Sequence, residues 1–335
     1  MSAKRLLILV LCCTLFPGAG QAITIDTVLI GKPGNANDPV TGGLYGGVPY
    51  SYRIGKNDVT VGQYTAFLNA VAATDTYGLY NAIMATNLNI AGIAQSVSSP
   101  HTYSVIGSPN HPITYVSWVD AARFANWLSN SQPAGVEGPG TTETGAYTLN
   151  GAVGPDALAA ITRNAGAKWF IPSESEWYKA AYYDPLAGHY WTYATGSNAT
   201  PTSAPPGSAL NTANYYDSST GYAVTASTSY SSNKNYLTDV GTYTSSASPY
   251  GTFDQTGNVF QWNEALFSDS SRGMRGGSWS HVAGALPSSF RGSVNPLSVD
   301  FTLGFRVGTV PEPSTAVLAF AACVLVWGWR KRFDK

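Results

Sequence analysis

The sequence predicts a loop-rich α+β domain, and three observations carry that expectation. Three short apolar-periodic segments open with helix-capping residues, each follows a short β-prone run, and long stretches rich in Gly, Ser, Thr, Asn and Ala separate them. No internal repeat and no clear linker interrupts the chain between its two hydrophobic ends. One domain is therefore expected over residues 23–309.

The N-terminus reads MSAKR, then LLILVLCCTLF, then PGAGQA. A basic start, an apolar run too short to span a bilayer comfortably, and small residues at Gly20 and Ala22 describe a signal peptide over 1–22, cleaved before Ile23. Leu11 in front of Cys12 argues against a bacterial lipoprotein. The first helix is predicted from about Val61 to Ala73, with Val61, Tyr64, Phe67, Leu68 and Val71 on one face and Thr60 and Gln63 forming a capping box. The second follows Val116, with Ser117 as cap, Asp120 in its first turn and Ala121, Phe124, Ala125 and Leu128 turned inward. The third follows Phe170-Ile171-Pro172, with Ser173 and Glu176 as its capping box and Trp177, Ala180 and Ala181 on the buried face. The runs Tyr52 to Ile54, Ile113 to Val116 and Trp169 to Ile171 are expected as strands, and Asp156 to Arg163 as a further short helix. Stretches 76–110, 131–160 and 195–237 are expected as binding loops or locally packed Ω-loops, since structureless loops of that length are unusual inside a domain. The final third alternates turns with short strands at Gly251 to Trp262, Arg275 to Ser280 and Gly304 to Val307.

Composition excludes several chemistries. Cys12, Cys13 and Cys323 all lie in the hydrophobic ends, so the body has no disulfide, thiolate nucleophile or Cys-ligated metal. Residues 23–310 hold 12 Lys and Arg against 17 Asp and Glu, a net charge of −5 without basic runs, which gives no support for nucleic-acid binding. Tyr, Ser, Thr, Asn and Gly are abundant, a composition shared by adaptable binding surfaces and by polar loops in general. No phosphate-binding Gly-rich loop, HExxH helix or GxSxG elbow occurs. His101 and His111, ten residues apart, have no metal-site spacing and read as surface residues, whereas His189 beside Tyr190 and Trp191 is a candidate groove residue. Glu174 and Glu176 at a helix start are expected as caps that favour the helix dipole rather than as an acid/base pair. Trp118, Trp177, Trp262 and Trp279 are expected in the core with their N–H groups bonded, and Arg275, Arg291 and Arg306 as braces for carbonyls and carboxylates.

At the C-terminus, Val310-Pro311-Glu312-Pro313 precedes an apolar run from Ala316 to Trp329 and the cluster Arg330-Lys331-Arg332, an order that keeps the basic end cytoplasmic and the body outside. This tail, residues 310–335, resembles the PEP-CTERM sorting signal of exopolysaccharide-producing Gram-negative bacteria. The resemblance implies recognition by an exosortase-type membrane protease near Pro311-Glu312-Pro313. It also implies a transient inner-membrane anchor through the apolar run, and a destination in the periplasm, outer surface or extracellular matrix.

In the body, DVTVGQYTAFLNAV (58–71), HPITYVSWVDAARFANWLS (111–129), FIPSESEWYKAAYYD (170–184), YGTFDQTGNVFQW (250–262), RGGSW (275–279) and GFRV (304–307) follow one another. This series is similar to the formylglycine-generating-enzyme, or sulfatase-modifying-factor, domain, a variant of the C-type-lectin-like fold, from about Ile30 to Gly308. The resemblance implies catalysis by a C-x-x-x-x-C pair that binds copper and activates oxygen. Those two positions are His281 and Leu286 here, so no copper and no formylglycine generation are expected. The resemblance also implies structural calcium bound by oxygens. Asn258, with the carbonyls of Gly257 and Val259, matches one site; Asn214 with Tyr215 matches the start of a second, with Asn233 or Asn235 where its acid is sought. Asn258 as a turn cap is the alternative. Iron-dependent relatives take their histidines from an added helical bundle, for which this chain has no room. The reading is therefore a surface-sorted, non-catalytic binding module for an exopolysaccharide or surface protein, contacting ligand through loops 195–237 and 280–300 and a groove near His281. The alternatives are an oxidoreductase built on another metal site around His281, or a matrix component without a specific ligand.

Overall fold

The computed structural model describes residues 22–310 apart from Ser268. The expected signal peptide and the sorting tail lie outside the described residues except for Ala22 and Val310. Two four-stranded sheets and three helices frame the domain. In chain order the elements are β1 (Thr27–Ile30), β2 (Tyr52–Gly55), α1 (Val61–Val71), α2 (Trp118–Ser129), β3 (Trp169–Phe170), α3 (Glu174–Tyr182), β4 (Phe260–Leu266), β5 (Arg272–Arg275), β6 (Gly292–Val294), β7 (Leu303–Gly304) and β8 (Gly308–Thr309). The first sheet is antiparallel in the order β1-β2-β8-β3, so the end of the domain closes beside its beginning. The second has the order β6-β5-β4-β7, with β4 and β7 parallel.

All three helices begin where their capping boxes predict. Thr60 and Gln63, Ser117 and Asp120, and Ser173 and Glu176 each exchange the reciprocal pair of bonds that satisfies two free N–H groups. The apolar stripes of α1 and α2 meet in one core, where Phe124 lies edge-on to both Phe67 and Phe305 at 5.3 and 5.4 Å. Each of the four core tryptophans finds an acceptor: Trp118 the Asn263 carbonyl, Trp177 the Gln261 side chain, Trp262 the Val116 carbonyl and Trp279 the Phe301 carbonyl.

Two expectations are corrected. Residues 113–116 are not a strand, because Tyr115 adopts a left-handed backbone (φ 57°) that turns the chain into α2. The short helix stops at Ala159 (Pro155–Ala159) and leaves out Arg163, whose side chain is held by Glu176 and Glu264. The long loops are locally packed. Stretch 76–110 contains a hairpin of Ile93–Gln95 with Tyr103–Val105, and 195–237 contains two two-stranded pairs. Within 131–160, the Asn126 side chain bonds Thr142 O, Tyr147 O and Tyr147 N, replacing a strand partner with one amide.

Candidate functional site

A groove of about 530 Å³ opens where the two ends of the second sheet meet the segment 298–302. Phe260, Met274, Val294 and Leu303 form its apolar floor, and Ser280, His281, Ser298 and Asp300 supply the polar groups. His281 reaches this place because β5 runs into Gly276 and Gly277, both in left-handed conformations. A Cβ on Gly277 would meet Leu286 Cδ2 at 2.4 Å, so only glycine lets the turn close. The His281 ring stands edge-on to Phe260 at 4.8 Å, and burial there lowers its pKa, against a smaller opposing pull from Asp300. Its Nδ1 lies 2.7 Å from Ser278 Oγ, which also accepts the Ser280 N–H. The neutral ring that burial favours either accepts the Ser278 hydroxyl at Nδ1 or donates to it, which leaves Nε2 a donor in the first case and an acceptor in the second. The groove thus offers a neutral imidazole and one carboxylate, and no Lys or Arg lines it.

From Phe301 in the groove wall, an aromatic array extends beneath the surface to Tyr230. Phe301 lies 5.6 Å from Trp279, which stacks on Tyr236 at 4.8 Å and 5°, which in turn stacks on Tyr230 at 5.9 Å and 12°. Tyr222 packs 4.6 Å from both Tyr216 and Tyr236. Trp279 and Tyr236 are buried beneath, Tyr216 and Tyr222 are half-buried, and Tyr230 is 57% exposed. The Tyr216 N–H donates to the His281 carbonyl, which ties array to groove.

The oxygens at Asn258 form a hydrogen-bonded clamp. Asn258 Oδ1 accepts from Thr238 N (3.2 Å) and Asn214 Nδ2 (3.1 Å), while Asn258 Nδ2 donates to Thr238 O (3.1 Å). Asn214 Nδ2 also donates to Tyr236 O, so an amide NH₂ stands where a cation would have to bridge those two oxygens. Gly257 N–H donates to Gly276 O, the Asn258 carbonyl accepts from Trp279 N, Val259 is packed in the Trp279 cluster, and Tyr215 OH donates to Pro201 O. This donor set does not fit calcium, which takes six to eight oxygens including carboxylates. Asn258→Ala is expected to destabilise the fold by about 1–3 kcal/mol through the Thr238 and Asn214 groups left unpaired, measured by urea unfolding. Chelator is expected to leave the wild-type melting temperature unchanged; a fall restored by calcium would refute the clamp.

Comparison with known proteins decides the lineage. Residues 48–309 match the model of the sulfatase-modifying factor enzyme 1-like domain. The chain belongs to that family. Residues 309–332 match the PEP-CTERM protein-sorting motif, which indicates export, exosortase recognition and surface sorting in Gram-negative bacteria. Among the described residues, no helix is long and apolar enough to cross a membrane. Among solved structures the chain is similar to CarF (21% identity, 86% of this chain, 99% of that chain, TM-score 0.53). It is also similar to Treponema denticola variable protein 1 (17%, 88% and 98%, TM-score 0.51) and to PvdO from Pseudomonas aeruginosa (18%, 86% and 92%, TM-score 0.45). The first two likenesses show the fold. No curated protein matches the sequence significantly.

In this sulfatase-modifying-factor-like domain, the two positions corresponding to the cysteine pair do not fit a thiolate-bound copper ion. His281 is an imidazole rather than a thiolate, and Leu286 is apolar and fully buried against Tyr193, Ala213 and Tyr215. The other histidines stand apart from the groove residues. His101 Nδ1 bonds the Ser96 carbonyl; His189 is exposed beside Trp191. His111 is half-buried rather than on the surface, 3.6 Å from Asp239, and burial lowers its pKa. Glu176 caps α3 as expected, but Glu174 is gripped by Arg275 and Arg291. Sequence reasoning missed the Arg163–Glu176–Glu264 cluster and the aromatic array. The only sequence signal for the array was the spacing of Tyr216, Tyr222, Tyr230 and Tyr236 in a stretch read as loop.

Proposed function

We propose that this exported protein is a non-catalytic surface module that binds an uncharged glycan across the groove and the aromatic array. The observation that carries the reading is a groove with an apolar floor and a few polar groups, beside the exposed Tyr230 and the half-buried Tyr216 and Tyr222. Planar rings offer flat apolar faces to the C–H faces of sugar rings, and tyrosine gives that area at low entropy cost. Ser280, Ser298, Asp300 and the His281 imidazole supply partners for hydroxyls, and the lone carboxylate in a groove without cations disfavours anionic ligands. Surface sorting supports the reading, since cell surfaces carry such polymers.

The test is calorimetric titration of the protein with neutral and polyanionic polysaccharides. Saturable binding to a neutral polymer and none to the polyanion is expected. Tyr230→Ala is expected to weaken binding about 2–10-fold, the range for loss of one aromatic contact, and to lower stability as well through the lost bond to the buried Asn89 Oδ1. His281→Ala is expected to weaken binding similarly. Absence of saturable binding to any neutral polymer sinks the proposal.

A further inference from the structure

The segment in front of β1 is sewn into the domain at successive residues. The Ile23 N–H donates to Gln132 Oε1 at 2.7 Å, and Gln132 Nε2 donates to Ile23 O at 2.9 Å. One side-chain amide thus grips both backbone groups of Ile23, as a neighbouring strand would. Its orientation follows from the pair of bonds, since a flipped amide would oppose like to like at both. Gln63 Nε2 donates to Thr24 O, and Lys56 N–H donates to Asp26 O. Ile23 and Ile25 pack against the main core, whereas Ala22 is exposed.

Gln132 is aimed there at a conformational cost. Ser131 and Gln132 follow α2 in consecutive left-handed conformations, φ 66° and 58°, which non-glycine residues adopt only when the surroundings require it. Their N–H groups close back onto Leu128 O and Trp127 O, so the end of α2 fixes where Gln132 points.

Two independent observations coincide at Ile23. Small residues at Gly20 and Ala22 set a signal-peptidase-type cleavage before it, and it is the residue whose N–H and C=O Gln132 holds. We infer that the exported protein begins at Ile23 and that the α-ammonium created there is seated on Gln132 Oε1, closing the N-terminus onto the domain. Hydrolysis adds water across the Ala22–Ile23 bond, leaving a carboxylate on Ala22 and an amine on Ile23 that takes up a proton. The neutral N–H···O bond becomes charge-assisted and stronger.

N-terminal sequencing of the protein recovered from the exported fraction is expected to read Ile23 first; any other first residue overturns the inference. Gln132→Glu then tests the seat. An α-amine ordinarily titrates near pH 7.7–8.0. At pH 6 the new carboxylate pairs with an ammonium while losing the bond to Ile23 O; at pH 10 the amine is neutral and only the loss remains. The melting temperature of the variant relative to wild type is therefore expected to be about 2–4 °C higher at pH 6 than at pH 10. A shift of the same sign and size at both pH values overturns the seat. Acylation of the wild-type amine at neutral pH is also expected to be several-fold slower than in Gln132→Ala. Equal rates overturn the seat even if Gln132→Glu does not fold.

Discussion

Arg306→Met is expected to cost about 3–5 kcal/mol of unfolding free energy, the range for removing one partner of a buried ion pair. The guanidinium is fully buried and spends its donors on four parts of the chain: Gln261 Oε1 at 2.6 Å, Gly55 O at 2.8 Å, Phe253 O at 2.7 Å and Asp58 Oδ1 at 3.3 Å. It therefore joins β2, β4 and the turn before β4 just ahead of β8. Methionine fills similar volume but takes this donor from the Gly55 and Phe253 carbonyls, leaves Gln261 Oε1 with only Trp177 Nε1, and leaves Asp58 without its counter-charge. Burial already holds the Asp58 carboxyl well above the usual carboxylate range, and its Oδ2 has no partner. Arg306→Lys is expected to lose most of the same energy, because a point charge cannot reproduce the planar fork. Adding Asp58→Asn to Arg306→Met is expected to recover part of the loss by removing the stranded acid. Guanidinium denaturation of the three variants checks this order. A loss below about 1 kcal/mol for Arg306→Met, the ceiling for exposed pairs, would mean the network is replaceable by water.

What was legible in the sequence followed how local each signal was. A capping box is written within four residues, so Thr60–Gln63, Ser117–Asp120 and Ser173–Glu176 were read correctly. The bracing role of Arg275 and Arg306 was legible because charge is scarce in this chain. The strand expected at 113–116 failed because the need to enter α2 bends Tyr115, a tertiary demand that β-propensity does not register. Asn258 was expected to hold calcium; in the fold its donor comes from Asn214, 44 residues away, and its acceptor from Thr238, partners that no local pattern marks. The aromatic array has the same origin. Tyr230, Tyr236 and Trp279 stack only after a loop of small polar residues folds back onto β5, and no periodicity announces that. His281 and Leu286 were located from the cysteine spacing that the family resemblance implies, and Leu286 is fully buried.

Glu174→Ala is expected to cost as much as the loss of Arg306, about 3–5 kcal/mol, and the origin of that cost can be apportioned between two arginines. Glu174 Oε1 accepts from Arg275 Nε and Nη2 at 3.0 and 2.7 Å, and Oε2 accepts from Arg291 Nη2 at 2.6 Å. Arg275 is fully buried, while Arg291 is exposed. An exposed partner contributes at most about 1 kcal/mol, since water and salt screen it, so Arg291→Ala is expected to be mild. Arg275 cannot turn to solvent, and its Nη1 also holds the carbonyls of Ser288 and Phe290 at 3.0 and 2.6 Å. Phe290 packs 5.8 Å from Phe260 in the groove floor, so loosening Arg275 also loosens the surface that faces ligand. Glu174→Ala and Arg275→Ala are therefore expected to weaken glycan binding as well as stability, and their double variant to lose much less than the sum. Arg291→Ala is expected to leave affinity unchanged. Equal stability losses for the two arginine variants would place the energy in the exposed pair and remove the link from α3 to the groove.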